Sequence, residues 1–203
     1  MRDPKTGESQ DFSPYLGAFV TPNAPELMAF LRIAADLHPQ KRLVGYQGDR
    51  NQVQAQVKAL FEALKTRAEI TYVNSVLDFG PEGGAGSQRV RLPRESLVHR
   101  QANCIDGTVL FASLLEAVSL NPAIVIIPGH AFLAWETWNE DPKEWKYLET
   151  TQIGSHSFED ACASAEATAI RYQKKFEKTG DERYFRRWPL DVLRVERMIT
   201  PME

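Results

Sequence analysis

Cys104 opens an apolar run, CIDGTVLFASLLEAVS, directly after QAN. If that run is a helix, its dipole and unpaired first-turn N–H groups favour a thiolate at its start. The same N–H groups can hold the oxyanion that forms when a thiolate attacks a carbonyl. Such a nucleophile needs a group that takes and returns a proton near neutral pH, which is histidine chemistry. His130 begins HAFLAWETW after a Pro-Gly turn, a rigid place from which to aim an imidazole. The imidazole in turn needs a partner at its second nitrogen. Glu149, in YLETT, stands near the end of the following strand candidate. If residues 130–138 and 144–151 pair as an antiparallel hairpin, the start of one strand lies beside the end of the other. His130 then meets Glu149.

The remaining reactive residue types suggest less. Cys162 lies among alanines in a helical pattern and reads as a small core residue. His38, His99 and His156 take the structural default. No C-x-x-C or H-E-x-x-H spacing occurs, so no metal is expected, and thiol chemistry requires no cofactor. GPEGGAGSQ at 80–88 is a loop that matches no phosphate-binding pattern. It reads equally as a lid over a cleft or as a plain connector. Trp135, Trp138 and Trp145 read as hairpin packing in preference to a cleft lining.

The elements that must position these groups follow from apolar spacing. Residues 24–37 form a helix pattern, with Asn23 or Thr21 as cap and Pro25 in the first turn. Residues 50–67 form a second, with Asp49 or Asn51 as cap and Val53, Val57, Leu60, Phe61 and Leu64 on one face. EITYVNSVLDF is rich in β-branched and aromatic residues and reads as partly extended. The Cys104 run is apolar on more than one face. Gly107 in its first turns costs about 1 kcal/mol against alanine, which a close-packed neighbour would justify. AIVIIP (123–128), HAFLAWETW and EWKYLETT are strand candidates, with the turn NEDPK between the last two. HAFLAWETW alternates only partly, as expected of a strand buried on both faces. Residues 157–178 form a third long helix, capped by Ser157 and ended by Gly180. The tail after 181 has a broken pattern, and DERYFRRW is too mixed in sign for a nucleic-acid patch.

The chain has 203 residues with 43% hydrophobic and 25% charged, ordinary values for a globular protein that needs no staples. Its formal charge of −3 gives no electrostatic reason to expect nucleic acid or an anionic membrane as partner. No apolar run approaches the roughly 18–20 residues of a membrane span. The start MRDPKTGESQDFSPY has no apolar leader region. These features predict a cytoplasmic protein with free thiols and no membrane insertion. Residues 1–22 read as a polar, mobile segment and 23–203 as one domain, with room for a larger multidomain parent.

Cysteine at a helix start, histidine on a strand and an acid on the next strand is the order found in transglutaminase-like enzymes. NCIDGTVLFASLLEAVSLNPAIVIIPGHAFLAWE followed by WKYLETT resembles the bacterial branch of that papain-like superfamily over residues 88–154. The resemblance implies an α+β fold, with helices packed on a small antiparallel sheet and the site at the N-terminal end of the Cys104 helix. It implies Cys104 as nucleophile, His130 as general base and acid, and Glu149 as orienter. Glu stands where Asp is common in the family, which adds a methylene and asks for a different backbone distance. A side-chain oxyanion donor upstream of the cysteine is usual in papain-like sites; Gln88 is the first candidate and Asn103 the second. Asp106 matches an acid expected to cap the helix or hold the loop. The implied reaction is acyl transfer on a carboxamide of a protein or peptide substrate, hydrolytic in preference to amine transfer. The alternative is a catalytically silent domain that keeps the fold as a peptide-binding or scaffolding module.

Overall fold

The computed structural model describes residues 11–74 and 89–203. Its elements in chain order are a 3-10 helix (Ser13–Phe19), α1 (Pro25–Ala35), α2 (Arg50–Thr66), β1 (Thr71–Tyr72), α3 (Pro93–His99), β2 (Gln101–Ala102) and α4 (Cys104–Ala117). Then come β3 (Pro122–Ile127), β4 (His130–Glu136), β5 (Trp145–Leu148), a 3-10 turn (Thr150–Gln152), α5 (Phe158–Thr179), β6 (Arg186–Pro189) and α6 (Leu190–Val195). The protein is α+β: helices pack on a four-stranded antiparallel sheet of order β5-β4-β3-β6. A two-residue parallel pair, β1 with β2, leads into α4. Among the described residues no helix is long and apolar enough to cross a membrane.

Apolar spacing decides which faces meet. Leu27, Phe30, Leu31 and Ala34 of α1 and Val53, Val57, Leu60, Phe61 and Leu64 of α2 are buried together against α4. Thr108 through Leu115 of α4 are all buried, so this helix is the centre of the larger core. The sheet is covered on both sides. Ile124, Leu133, Trp135 and Leu148 face the core that contains α4. The alternate residues Ala123, Val125, Ile127, Phe132, Ala134 and Tyr147 pack with Ala165 and Ala169 of α5. Trp135 is a core residue, while Trp138 meets Tyr46 edge-on and Trp145 lies under the Arg187 guanidinium.

Three expectations are corrected. The described part of the N-terminal segment is packed into the body: Val20 and Thr21 are fully buried, and the Thr21 N–H donates to Ser113 Oγ of α4 at 2.9 Å. Neither Asn23 nor Thr21 caps α1; Ala24 holds that position without a side-chain bond, and Pro25 supplies the preset backbone angle. The broken pattern of the tail conceals β6, which pairs with β3 from Ile126↔Arg186 to Ala123↔Pro189. Gln88 and the glycine-rich loop at 80–88 lie outside the described residues.

Candidate active site

Asn103 is the N-cap of α4, which makes Cys104 its first residue. Asn103 Oδ1 accepts the Asp106 N–H at 2.8 Å, and Asp106 Oδ2 accepts the Asn103 N–H at 3.4 Å, a reciprocal capping box. The sequence reading offered Asn103 as an oxyanion donor. In the structure it is nearly buried and its side-chain oxygen is occupied by the cap, so its part is to start the helix. Asp106 also accepts the Arg91 N–H at 2.9 Å and faces its guanidinium at 3.6 Å. It therefore ties the segment at 89–92 to the start of α4. Burial raises the Asp106 pKa, against the backbone N–H groups of Arg91 and Asn103 and the Arg91 charge. The Gly107 N–H closes on the Asn103 carbonyl at 2.9 Å. The first-turn amides of Cys104 and Ile105 have no oxygen partner among the described residues.

β4 and β5 pair antiparallel with Leu133 opposite Leu148. That register brings His130, at the start of β4, beside Glu149, the first residue after β5. His130 Nε2 donates to Glu149 Oε2 at 2.7 Å. The other carboxylate oxygen, Oε1, accepts the Thr151 N–H at 3.1 Å and the Thr151 hydroxyl at 2.7 Å. Glu149 is 7% exposed and both its oxygens are fixed. With Nε2 engaged by Glu149, Nδ1 is the nitrogen left to act on Cys104, the group that most strongly raises the His130 pKa.

The proton placement follows from these contacts. Burial raises the Cys104 thiol, but the His130 hydrogen bond, the Ala131 and Ile105 backbone N–H groups and the His130 charge together bring it below its ordinary 9.0. The hydrogen bonds to Cys104 and to Glu149 raise His130 from 6.5 to about 9, against the cost of its own burial. Both shifts favour the same arrangement, a thiolate beside an imidazolium. Cys162 differs: burial pushes its thiol up to about 12. Among the described residues no group of three His, Cys, Asp or Glu side chains could hold a metal ion.

Gly107 explains how α4 comes so close to Glu149. A Cβ there would fall 3.0 Å from Thr150 Oγ1 and 3.3 Å from Thr150 Cβ. In an open helix, Gly107→Ala would stabilise by about 1 kcal/mol. Here the methyl group must displace Thr150, the neighbour of Glu149. The expected result is a denaturation free energy within about 1 kcal/mol of wild type. Cys104 alkylation at neutral pH should slow by about threefold or more, since the displaced carboxylate holds the imidazolium less well. Unchanged alkylation would mean that Thr150 gives way without moving Glu149.

Sequence reasoning missed three contributors. Thr151 clamps Glu149, and the only available signal was two hydroxyl residues after the acid in LETT. The Ala131 N–H lowers the Cys104 thiol, an effect of backbone position with no residue-type signature. Tyr72 carries charge effects from both Cys104 and Glu149. Comparison of the chain with protein-family models, curated proteins and solved structures gave no match.

Proposed function

We propose that this protein is a cysteine-dependent acyl-transfer enzyme of transglutaminase-like, papain-like organisation, acting on a carboxamide of a protein or peptide. The observation that carries this reading is the 2.7 Å bond between His130 and Glu149, with the same imidazole lowering the pKa of the Cys104 thiol at a helix start. The Cys104 thiolate attacks the carboxamide carbonyl, forming an Sγ–C bond and an oxyanion that the first-turn N–H groups can meet. The oxyanion collapses, the C–N bond breaks, and His130 Nδ1–H protonates the departing amine, leaving a thioester and a neutral imidazole. The imidazole then takes a proton from water as the water oxygen attacks the thioester carbon. The C–S bond breaks, the thiolate returns and the acid product leaves. Water is the favoured acceptor because it is always at hand; an amine in its place would make the reaction a transglutamination.

The test is iodoacetamide alkylation across pH with the labelled site assigned by mass spectrometry. Cys104 should label rapidly well below the pH at which a free thiol of pKa about 8.5 reacts, while Cys162 stays unlabelled. Slow labelling of Cys104 with the pH dependence of an ordinary thiol would overturn the reading. A Cys104→Ser protein that retains its full biological effect would turn it toward a peptide-binding module.

A further inference from the structure

β1 sits between the two segments that carry the reacting groups. On one side it pairs in parallel with β2, Tyr72 opposite Ala102, and the Val73 N–H donates to the Ala102 carbonyl at 3.0 Å. Two residues after Ala102 comes Cys104. On the other side it meets the loop that follows Glu149. A Cβ at Gly154 would fall 2.8 Å from the Ile70 carbonyl oxygen and 3.9 Å from Thr71 Cα, so that loop lies directly on the β1 backbone.

Strand parity gives the direction of the Tyr72 side chain. Residues two apart on a strand share a side, and partners in register share it too. Ile70 is buried in the core around α4. Ala102 is 4% exposed, and its Cβ would lie 3.8 Å from a Cβ on Gly107, in the first turns of α4. Tyr72 therefore leaves β1 on the side where the start of α4 meets Thr150, yet it is 44% exposed and accessible to a ligand. It is an open aromatic at the lip of the site, where Ile70 and Ala102 on the same side are core.

We infer that Tyr72 is a substrate-contacting residue of the Cys104 site, its phenol donating a hydrogen bond to the oxygen of the carbonyl under attack. This inference rests on the acyl-transfer reading above. Desolvation, with the charges of Cys104 and Glu149, holds the phenol above its ordinary 10.0, so at working pH it is a donor. The Cys104 and Ile105 amides approach the oxyanion from the helix, and the phenol supplies a donor from the opposite, solvent side. A side-chain donor of this kind stabilises charge that appears only after attack, so it raises the rate of acylation and leaves the resting thiolate as it was.

Two electrophiles separate these effects. Iodoacetamide reacts with the thiolate by displacement of iodide at its CH2 carbon and develops no oxyanion. p-Nitrophenyl acetate acylates the thiolate through a tetrahedral oxyanion, forming the Sγ–C bond and expelling p-nitrophenolate. In Tyr72→Phe, Cys104 should alkylate with iodoacetamide within about twofold of wild type, while acylation by p-nitrophenyl acetate slows by about tenfold or more. The retained aromatic ring and the unchanged alkylation together show that the variant is folded and its thiolate intact. Equal acylation in the two proteins overturns the role of Tyr72 and leaves Cys104 as nucleophile. A parallel fall in both rates also overturns it, because Tyr72 would then act on the thiolate or on the fold. If wild-type acylation persists in Cys104→Ser, the acyl-transfer reading fails and the Tyr72 inference fails with it.

Discussion

His130→Ala should slow alkylation of Cys104 at neutral pH by about tenfold or more, and any amide turnover by about a hundredfold to ten-thousandfold. The two figures differ because the imidazole has two tasks. In the resting protein it supplies the strongest influence that offsets burial of the thiolate. What remains is the desolvation, which raises the thiol, against the Ala131 and Ile105 N–H groups alone, so less of the reactive anion is present. During turnover the imidazolium also gives its proton to the leaving amine, and alanine cannot. Glu149→Gln should act in the same direction with smaller effect, since it removes the charge that helps hold His130 at about 9 and keeps an oxygen for Nε2. An alkylation rate in His130→Ala equal to wild type would show that the pair does not govern the sulfur.

The same shifts fix the pH behaviour. Alkylation of wild type should rise with pH through a midpoint below the ordinary thiol value of 9.0. Acyl transfer should share that limb and fall again as the pH passes about 9, where His130 loses the proton the leaving group needs. Stability follows a different course. His130 is raised on folding, so its contribution is complete below 6.5 and lost as the pH climbs through about 9. Cys104 is lowered, so its contribution is complete above 9.0 and lost as the pH falls through its folded value. Where these windows overlap the two slopes oppose, because folding moves one proton from sulfur to nitrogen and releases none. Denaturation should therefore show little pH dependence from this pair between the pH at which alkylation reaches its plateau and about 9.

The placement of the candidate site's groups was legible because each was marked twice, by residue type and by position. Cys104 stands at a cap followed by a continuous apolar run, and His130 follows a Pro-Gly turn. Glu149 lies a hairpin away, and antiparallel pairing turns that distance in sequence into proximity. Gly107 was legible as an anomaly: its cost to a helix asked for a close neighbour, and Thr150 is that neighbour. Asn103 misled because an amide beside a nucleophile and an amide that starts a helix look alike until the hydrogen bonds are assigned. β6 was hidden because Arg186 and Arg187 break the apolar pattern, and its partner β3 lies far upstream. Arg186 is paired with Asp11, and Arg187 donates to the Tyr147 hydroxyl at 2.8 Å, so both arginines serve the fold at a sheet edge. The N-terminal segment was misread for a related reason. Much of what holds it comes from its backbone carbonyls, which no side-chain pattern records.

Arg194→Ala is expected to lower the free energy of unfolding by about 3–4 kcal/mol, measured by chemical denaturation. This arginine uses every donor it has. Nε and Nη2 make a bidentate pair with Glu116 at 2.9 and 2.8 Å, Nη1 donates to the carbonyls of Gly17 and Ile199, and Nη2 donates to the carbonyl of Val20, each at 2.9 Å. It joins the last turn of α4, the N-terminal 3-10 helix and the tail. Its side chain is only 18% exposed, so water cannot readily replace it at the groups it leaves behind. Gly17 adds to the junction, since a Cβ there would lie 2.8 Å from Leu193 Cδ1. Arg194→Lys should recover less than half of the loss, because an ammonium has three donors and no planar fork for the carboxylate. Arg194→Ala combined with Glu116→Ala should cost less than the two separate losses added, because the double variant leaves no unpaired buried charge. A loss below about 1 kcal/mol in the single variant would place Arg194 among ordinary surface pairs. α4 is 14 residues long, so this junction lies about 20 Å from the thiol at the other end of the helix. At temperatures where the variant remains folded, its Cys104 should alkylate at the wild-type rate. That result would separate the clamp that holds the chain ends from the pair that activates the sulfur.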